Sequence, residues 1–147
     1  MSLVEARHPA DIPAVEWHVI FCPPQTTLRR LMPWPMRAVS VWMDERHRHC
    51  FALRPAQLGS ILINCVGQQL FLDWLPQDPH DIARGCVAQG WAALRLDPLP
   101  WQGYPVRGVL SCVSVVKAAI GLQGALVLTP RQLYRRLLSQ GAHIVTG

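Results

Sequence analysis

The sequence predicts a single α+β domain in which an antiparallel sheet packs against helices. Strand-like segments cluster in the middle of the chain with short connections between them, which is typical of antiparallel sheets. Residues 112–120 have the pattern of a helix that is apolar on most of its circumference. The chain has 147 residues, 50% of them apolar and 16% charged, so it can form a hydrophobic core. We assign residues 1–16 to an N-terminal extension and residues 17–147 to the domain.

Short runs rich in apolar and β-branched residues predict the strands. Residues 16–22 form the first run, and Pro23 and Pro24 end it. Gly67 and Gln68 have the composition of a turn between two later strands. The further strands are expected at residues 38–42, 49–53, 60–64, 69–74 and 91–96. Their order in the sheet does not follow from these patterns.

Capping patterns predict three helices. The first follows Asp78 and ends at Gly90. The second opens at Cys112, and Gly121 is a natural C-terminal stop for it. The third follows the segment 129–132, Thr-Pro-Arg-Gln, which has the spacing of a capping box with proline at the first helical position. The buried second helix is expected to pack against the sheet.

Charge does not select a partner class. The net charge is +5, but the basic residues are scattered and form no dense stripe. Such a field favours any anionic partner, including nucleic acid, anionic lipid and acidic cell-wall polymers. A nucleic-acid-binding module therefore remains a hypothesis that rests only on charge and scattered aromatic residues.

The cysteines indicate a reducing compartment. They are odd in number and show no close pairing: Cys22, Cys50, Cys65, Cys86 and Cys112. The chain starts without the charged and then apolar segment of a secretory signal, and it has no apolar run long enough to span a bilayer. We therefore expect reduced thiols and a product made in the cytoplasm.

Three residues could together form a thiol-based hydrolytic site: His49, Asp73 and Cys112. Cys112 stands at a predicted helix start, directly after Ser111, where the helix dipole lowers the pKa of a thiol. A neutral imidazole such as that of His49 can take the thiol proton, and Asp73, on a neighbouring predicted strand, could project beside the cleft. Taken singly, each has an ordinary structural role, with Cys112 a core residue, His49 a strand histidine and Asp73 an edge carboxylate.

A zinc site is a second chemical interpretation of the same region. His47, His49, Cys50 and Cys22 offer imidazole and thiolate ligands. The spacing argues against zinc, because no paired Cys-x-x-Cys is present and adjacent strand residues point to opposite faces. We expect neither a metal nor another cofactor.

Four segments carry a resemblance to a known family. They are residues 48–53 (Arg-His-Cys-Phe-Ala-Leu), 67–73 (Gly-Gln-Gln-Leu-Phe-Leu-Asp), 111–117 (Ser-Cys-Val-Ser-Val-Val-Lys) and 128–134 (Leu-Thr-Pro-Arg-Gln-Leu-Tyr). Together they resemble permuted papain-like cysteine hydrolases, in which histidine precedes cysteine. The chain is similar to short phage and prophage proteins related to the NlpC-type cell-wall peptidases, over about residues 17 to 140.

The resemblance implies a papain-like core with Cys112 as nucleophile, His49 as base and Asp73 as the group that orients the imidazole. The family pattern would place proline after Asp73, and Trp74 stands there instead. Backbone amides at the helix start would hold the oxyanion together with a second donor. Gln102 and Tyr104 are the candidates for that donor.

Two functions follow as expectations. The first is a phage-encoded cysteine peptidase or amidase that acts on peptide bonds of bacterial peptidoglycan, either free or associated with the virion. The second is a non-catalytic virion protein of the tail, portal or connector that keeps the hydrolase fold and binds other virion proteins. Fold alone does not separate these two functions.

Overall fold

A computed structural model describes residues 14–23, 47–99, 109–123 and 126–147. Within these ranges the chain forms one antiparallel sheet of six strands and three helices, which confirms the mixed α+β prediction. In chain order the elements are β1 (Val15–Cys22), β2 (His49–Ala56), β3 (Gly59–Val66), β4 (Gln69–Leu75), α1 (Pro79–Ala88), β5 (Ala92–Leu99), α2 (Cys112–Ile120), α3 (Pro130–Ser139) and β6 (His143–Ile144).

The strand order is β4-β3-β2-β1-β5-β6. Strands β2, β3 and β4 form a meander with two tight turns. Gly67 and Gln68 make the second turn with φ values of 56° and 68°, as a two-residue type I′ hairpin requires. The other strand predictions within the described residues hold to within three residues at each end. Outside the described residues lie the predicted strand at 38–42 and the two candidate oxyanion donors, Gln102 and Tyr104.

Helices cover both faces of the sheet. On one face α2 packs over β2 and β3 and α3 packs over β5, and Phe21 and Cys50 are fully buried in the core beneath them. On the other face α1 packs over Ile20 and Leu53. Strand β1 therefore contacts a core on each side, which explains why it is buried continuously from Trp17 to Cys22 instead of alternating.

The predicted caps are present on all three helices. Asp78 accepts a hydrogen bond from the backbone N–H of His80, and Gly121 ends α2 with a φ of 72°. Helices α2 and α3 each begin with a complete capping box, whose N-cap residues are Ser111 and Thr129. These caps fix the start of α2 at Cys112. In the part of the chain that the structure describes, no helix has the length and apolar character needed to cross a membrane.

Strand β4 is the exposed edge of the sheet. Four of its five large apolar side chains remain at least 45% exposed, and they lie on both faces: Leu70, Phe71, Leu72 and Trp74. Helix α2 reaches only as far as β2 and β3, and α1 lies over β1, β2 and β5. Among the described residues, no helix therefore packs over β4 on either side.

Candidate active site

Cys112 is the first residue of α2, and the cap holds it there. The Ser111 hydroxyl accepts a hydrogen bond from the Ser114 N–H at 3.1 Å, and the Ser114 hydroxyl accepts one from the Ser111 N–H at 2.8 Å. The apolar residues that follow Cys112, such as Val113 and Val116, are buried and anchor the helix. Cys112 itself is only partly buried, so its thiol stands at the edge of the core near the positive end of the helix dipole.

His49 begins β2 and contacts two groups. Its Nε2 atom donates a hydrogen bond to Asn64 Oδ1 on β3 at 2.7 Å. The second group is the Cys112 thiol, whose hydrogen bond and charge act to raise the pKa of the ring. Because the amide oxygen only accepts, Nε2 carries a proton and Nδ1 remains as the basic nitrogen of the ring. The structure thus brings together two of the three predicted residues and adds Asn64 to them.

Asp73 does not take the predicted place beside the imidazole. It lies on β4, opposite Leu62, and strand β3 separates it from His49. One of its carboxylate oxygens accepts a hydrogen bond from the backbone N–H of Trp74 at 2.8 Å. Asn64 occupies the intervening strand and reaches the ring first, so the orienting contact comes from an amide on β3.

The Cys112 thiol is strongly acidic for a cysteine. A hydrogen bond from the Cys50 thiol is the largest cause of its lowered pKa, and burial opposes that effect. The hydrogen bond and charge of His49, together with the Cys50 backbone N–H, bring the pKa of Cys112 well below 9.0. The lowered pKa favours the thiolate, which is the nucleophilic form.

The His49 ring shows the complementary behaviour. Burial acts to lower its pKa, but the hydrogen bond and charge of Cys112 and the hydrogen bond to Asn64 outweigh burial, and the pKa rises above 6.5. A lowered thiol pKa and a raised imidazole pKa stabilise a thiolate–imidazolium pair. This is the resting form that nucleophilic catalysis by cysteine requires.

The other four cysteines are inert by comparison. Burial raises the pKa of Cys22 to about 11, and it also raises the pKa values of Cys50, Cys65 and Cys86. All five thiols are free. Cys112 is thus the one cysteine of this chain whose environment favours the thiolate.

No metal site accompanies this pair in the described parts of the chain. No three histidine, cysteine, aspartate or glutamate side chains converge there as a metal requires, and this includes His47, His49, Cys50 and Cys22. The thiols and imidazole of the site instead bond to one another and to Asn64.

An open groove of about 380 Å³ lies beside Asn64. Its walls come from β3 and β4 and are mainly apolar, with Asp73 as the charged member: Leu62, Asn64, Val66, Phe71, Leu72 and Asp73. The groove is lined by the exposed edge strand and adjoins the residue that holds the imidazole. Leu62 and its cross-strand partner Leu53 belong to the core under α1, so the groove lies on the face of the sheet opposite α2.

Asn64 carries a signal that a sequence can show. It interrupts the apolar segment Ile61–Cys65, where asparagine is disfavoured because a strand offers little to satisfy a buried amide. Such an interruption marks a polar contact with a neighbouring strand. The identity of its partner, His49, depends on the pairing of β2 with β3, which the sequence does not specify.

Comparisons of this chain with protein-family models, with curated proteins and with solved structures return no match. The papain-like family is therefore a proposal, and it rests on the contacts among Cys112, His49 and Asn64.

Proposed function

We propose that this protein is a papain-like thiol hydrolase with Cys112 as nucleophile, His49 as general base and acid, and Asn64 as the residue that orients the imidazole. The observation that carries the proposal is the 2.7 Å hydrogen bond from His49 Nε2 to Asn64 Oδ1, and the lowered pKa of Cys112 and raised pKa of His49 support it. Cys-His-Asn is the arrangement of papain-like proteases. The order along the chain, with histidine before cysteine, is that of the permuted members.

The reaction begins with attack of the Cys112 thiolate on a carbonyl carbon. The C=O electron pair moves onto oxygen, and backbone N–H groups at the start of α2 stabilise the oxyanion. The intermediate then collapses, the bond to the leaving amine breaks, and the His49 imidazolium supplies the proton that the amine needs. Water, deprotonated by His49, hydrolyses the thioester and restores the thiolate.

Asn64 supports this cycle by fixing the ring. The imidazole must present one nitrogen to the sulfur in both protonation states, and the hydrogen bond from Nε2 to Oδ1 prevents the ring from turning. An amide suits a site that holds an imidazolium at rest, since it orients the ring without adding charge.

For the substrate we propose amide bonds in the peptide part of bacterial peptidoglycan. Two features support this choice: the resemblance to NlpC-type peptidases, and a net charge of +5 that favours an anionic wall polymer. A phage-encoded enzyme made in the bacterial cytoplasm, free or carried in the virion, would meet this substrate.

A non-catalytic virion component is the second candidate. The exposed apolar side chains of β4 favour it, since a free edge strand is a surface on which another protein can pair. This function requires no acidic thiol beside a protonated imidazole. The catalytic proposal accounts for that pair and is therefore the one we favour.

Release of new amines from purified peptidoglycan tests the proposal, with a nitrophenyl ester as a second substrate. We expect the wild type to act on both and Cys112→Ala on neither, while Cys86→Ala serves as the matched control because Cys86 lies on α1. Ester hydrolysis that requires Cys112 without any action on peptidoglycan would keep the thiol hydrolase and reject the substrate. Equal activity of wild type and Cys112→Ala on both substrates would reject the enzyme.

A further inference from the structure

The hydrolytic cycle uses no chemistry of Cys50, although this residue touches the nucleophile. Cys50 follows His49 on β2, is fully buried, and belongs to the core cluster against which Cys112 packs. A hydrogen bond from its thiol is the largest cause of the lowered pKa of Cys112. The two cysteines therefore meet in one cluster, with Cys50 inside the core and Cys112 at its edge.

Cys50 is the only cysteine among the buried residues of this cluster, and Cys22 and Cys65 lie outside it. Cys50 is thus the thiol placed to react with an oxidised Cys112.

We propose that Cys50 is a resolving thiol, which forms a reversible disulfide with Cys112 after a hydroperoxide has oxidised Cys112. The disulfide would switch off the nucleophile and protect it from irreversible oxidation. This inference goes beyond the hydrolase and does not depend on the identity of its substrate.

The chemistry has two balanced steps. In the first, the Cys112 thiolate attacks the distal oxygen of a hydroperoxide, the O–O bond breaks, and the products are a sulfenate and an alcohol, or water when the oxidant is hydrogen peroxide. In the second, the Cys50 sulfur attacks the sulfur of the protonated sulfenic acid. The S–O bond breaks, and the leaving hydroxide takes up the Cys50 proton and departs as water. The hydroperoxide is the two-electron oxidant, and a dithiol returns both electrons.

Burial determines the order of these steps. Cys112 is partly exposed, so an oxidant in solution reaches it, whereas Cys50 has no exposed surface and is reached only through Cys112. The thiolate is also the form that peroxides oxidise. The disulfide holds the two sulfurs about 2 Å apart.

Peptide mapping of the full-length wild type after brief treatment with hydrogen peroxide tests the proposal. The expected product has lost two hydrogen atoms, contains a peptide linked through Cys50 and Cys112, no longer reacts with iodoacetamide at Cys112, and recovers both thiols with dithiothreitol. A link from Cys112 to Cys22 or Cys65, or a Cys112 that gains oxygen without any link, would overturn it. The absence of any oxidation at Cys112 would also overturn the proposal.

A pair of variants separates the role of Cys50 from a general effect of losing a buried thiol. In Cys50→Ala, Cys112 should stop at the sulfenic acid, which dimedone traps, and prolonged treatment should add a second oxygen that dithiothreitol does not remove. Cys65→Ala should still form the disulfide. Circular dichroism establishes that both variants are folded, and equal trapping in the two variants would contradict a resolving role for Cys50.

Discussion

The Nε2 atom of His49 lies 2.7 Å from the Oδ1 atom of Asn64, on the adjacent strand of the sheet. This hydrogen bond links the start of β2 to β3 and determines which ring nitrogen can serve the Cys112 thiol. It assigns to an asparagine the function that Asp73 has in the sequence-based prediction.

Loss of the Asn64 amide should slow hydrolysis without abolishing it. A hydrogen bond to a charged group contributes about 1.5–3 kcal/mol, which corresponds to a roughly tenfold to hundredfold change in rate. We expect Asn64→Ala to lower kcat by about this factor on a nitrophenyl ester, because the ring is no longer held. Asp73→Asn is the matched control and should leave the rate on this small ester unchanged. A larger loss in Asp73→Asn than in Asn64→Ala would restore Asp73 as the orienting residue.

Hydrolysis should follow a bell-shaped pH profile. Activity rises as Cys112 loses its proton, at a pH well below 9.0, and falls as His49 loses its proton, at a pH above 6.5. The raised pKa of His49 and the lowered pKa of Cys112 both widen the plateau between the two limbs. Measurement of kcat/KM for the ester across pH checks this shape. A single rise near the ordinary thiol pKa would show that the ion pair does not exist in solution.

The Cys50 thiol should set the position of the acid limb. Its hydrogen bond is the largest cause of the lowered pKa of Cys112, so Cys50→Ala should move that pKa upward. The pH dependence of Cys112 alkylation by iodoacetamide measures it directly, since only the thiolate reacts. Cys65→Ala removes a buried thiol that makes no hydrogen bond to Cys112, and it should leave the limb nearly in place. An identical curve for wild type and Cys50→Ala would contradict the contact.

The sequence patterns predicted the ends of the helices more accurately than they predicted the tertiary contacts. Caps and a glycine stop are local signals, so the start of α2 at Cys112 and its end before Gly121 were predicted correctly. The contact of His49 with Asn64 depends on the pairing of β2 with β3, which no local signal specifies. The two-residue strand β6 is too short to show any alternation. The sequence places Asp73 on a strand but not the position of that strand in the sheet, where β3 lies between Asp73 and His49.

Buried His18 should make the fold sensitive to acid. Burial, followed by the charge of His80, lowers the pKa of His18 from 6.5 to about 4, while Glu16, Asp78 and Arg95 are the other charged groups near it. Between pH 6.5 and about pH 4, His18 therefore carries a proton in the unfolded chain and none in the folded chain. Stability is fully present above pH 6.5 and declines as the pH falls toward 4, by about 3 kcal/mol from this residue.

Urea unfolding at pH 7.5 and pH 4.5 measures this effect. In His18→Leu the difference in the free energy of unfolding between the two pH values should shrink, since the variant has no proton to take up at this position. The exposed His143 supplies the control, and His143→Gln should keep the wild-type difference. Equal acid sensitivity of the wild type and His18→Leu would assign the effect to other groups.

The two capping boxes allow the stability of a helix start to be separated from the reactivity of the thiol. Ser111→Ala removes the cap of α2 next to Cys112, and Thr129→Ala removes the corresponding cap of α3. Each variant should lower the free energy of unfolding by about 1 kcal/mol, measured with urea. Only Ser111→Ala should also slow alkylation of Cys112 near neutral pH, because a frayed first turn no longer holds the sulfur against His49 and Cys50. Equal slowing in both variants would mean that reactivity follows overall stability and not the position of the thiol at the start of α2.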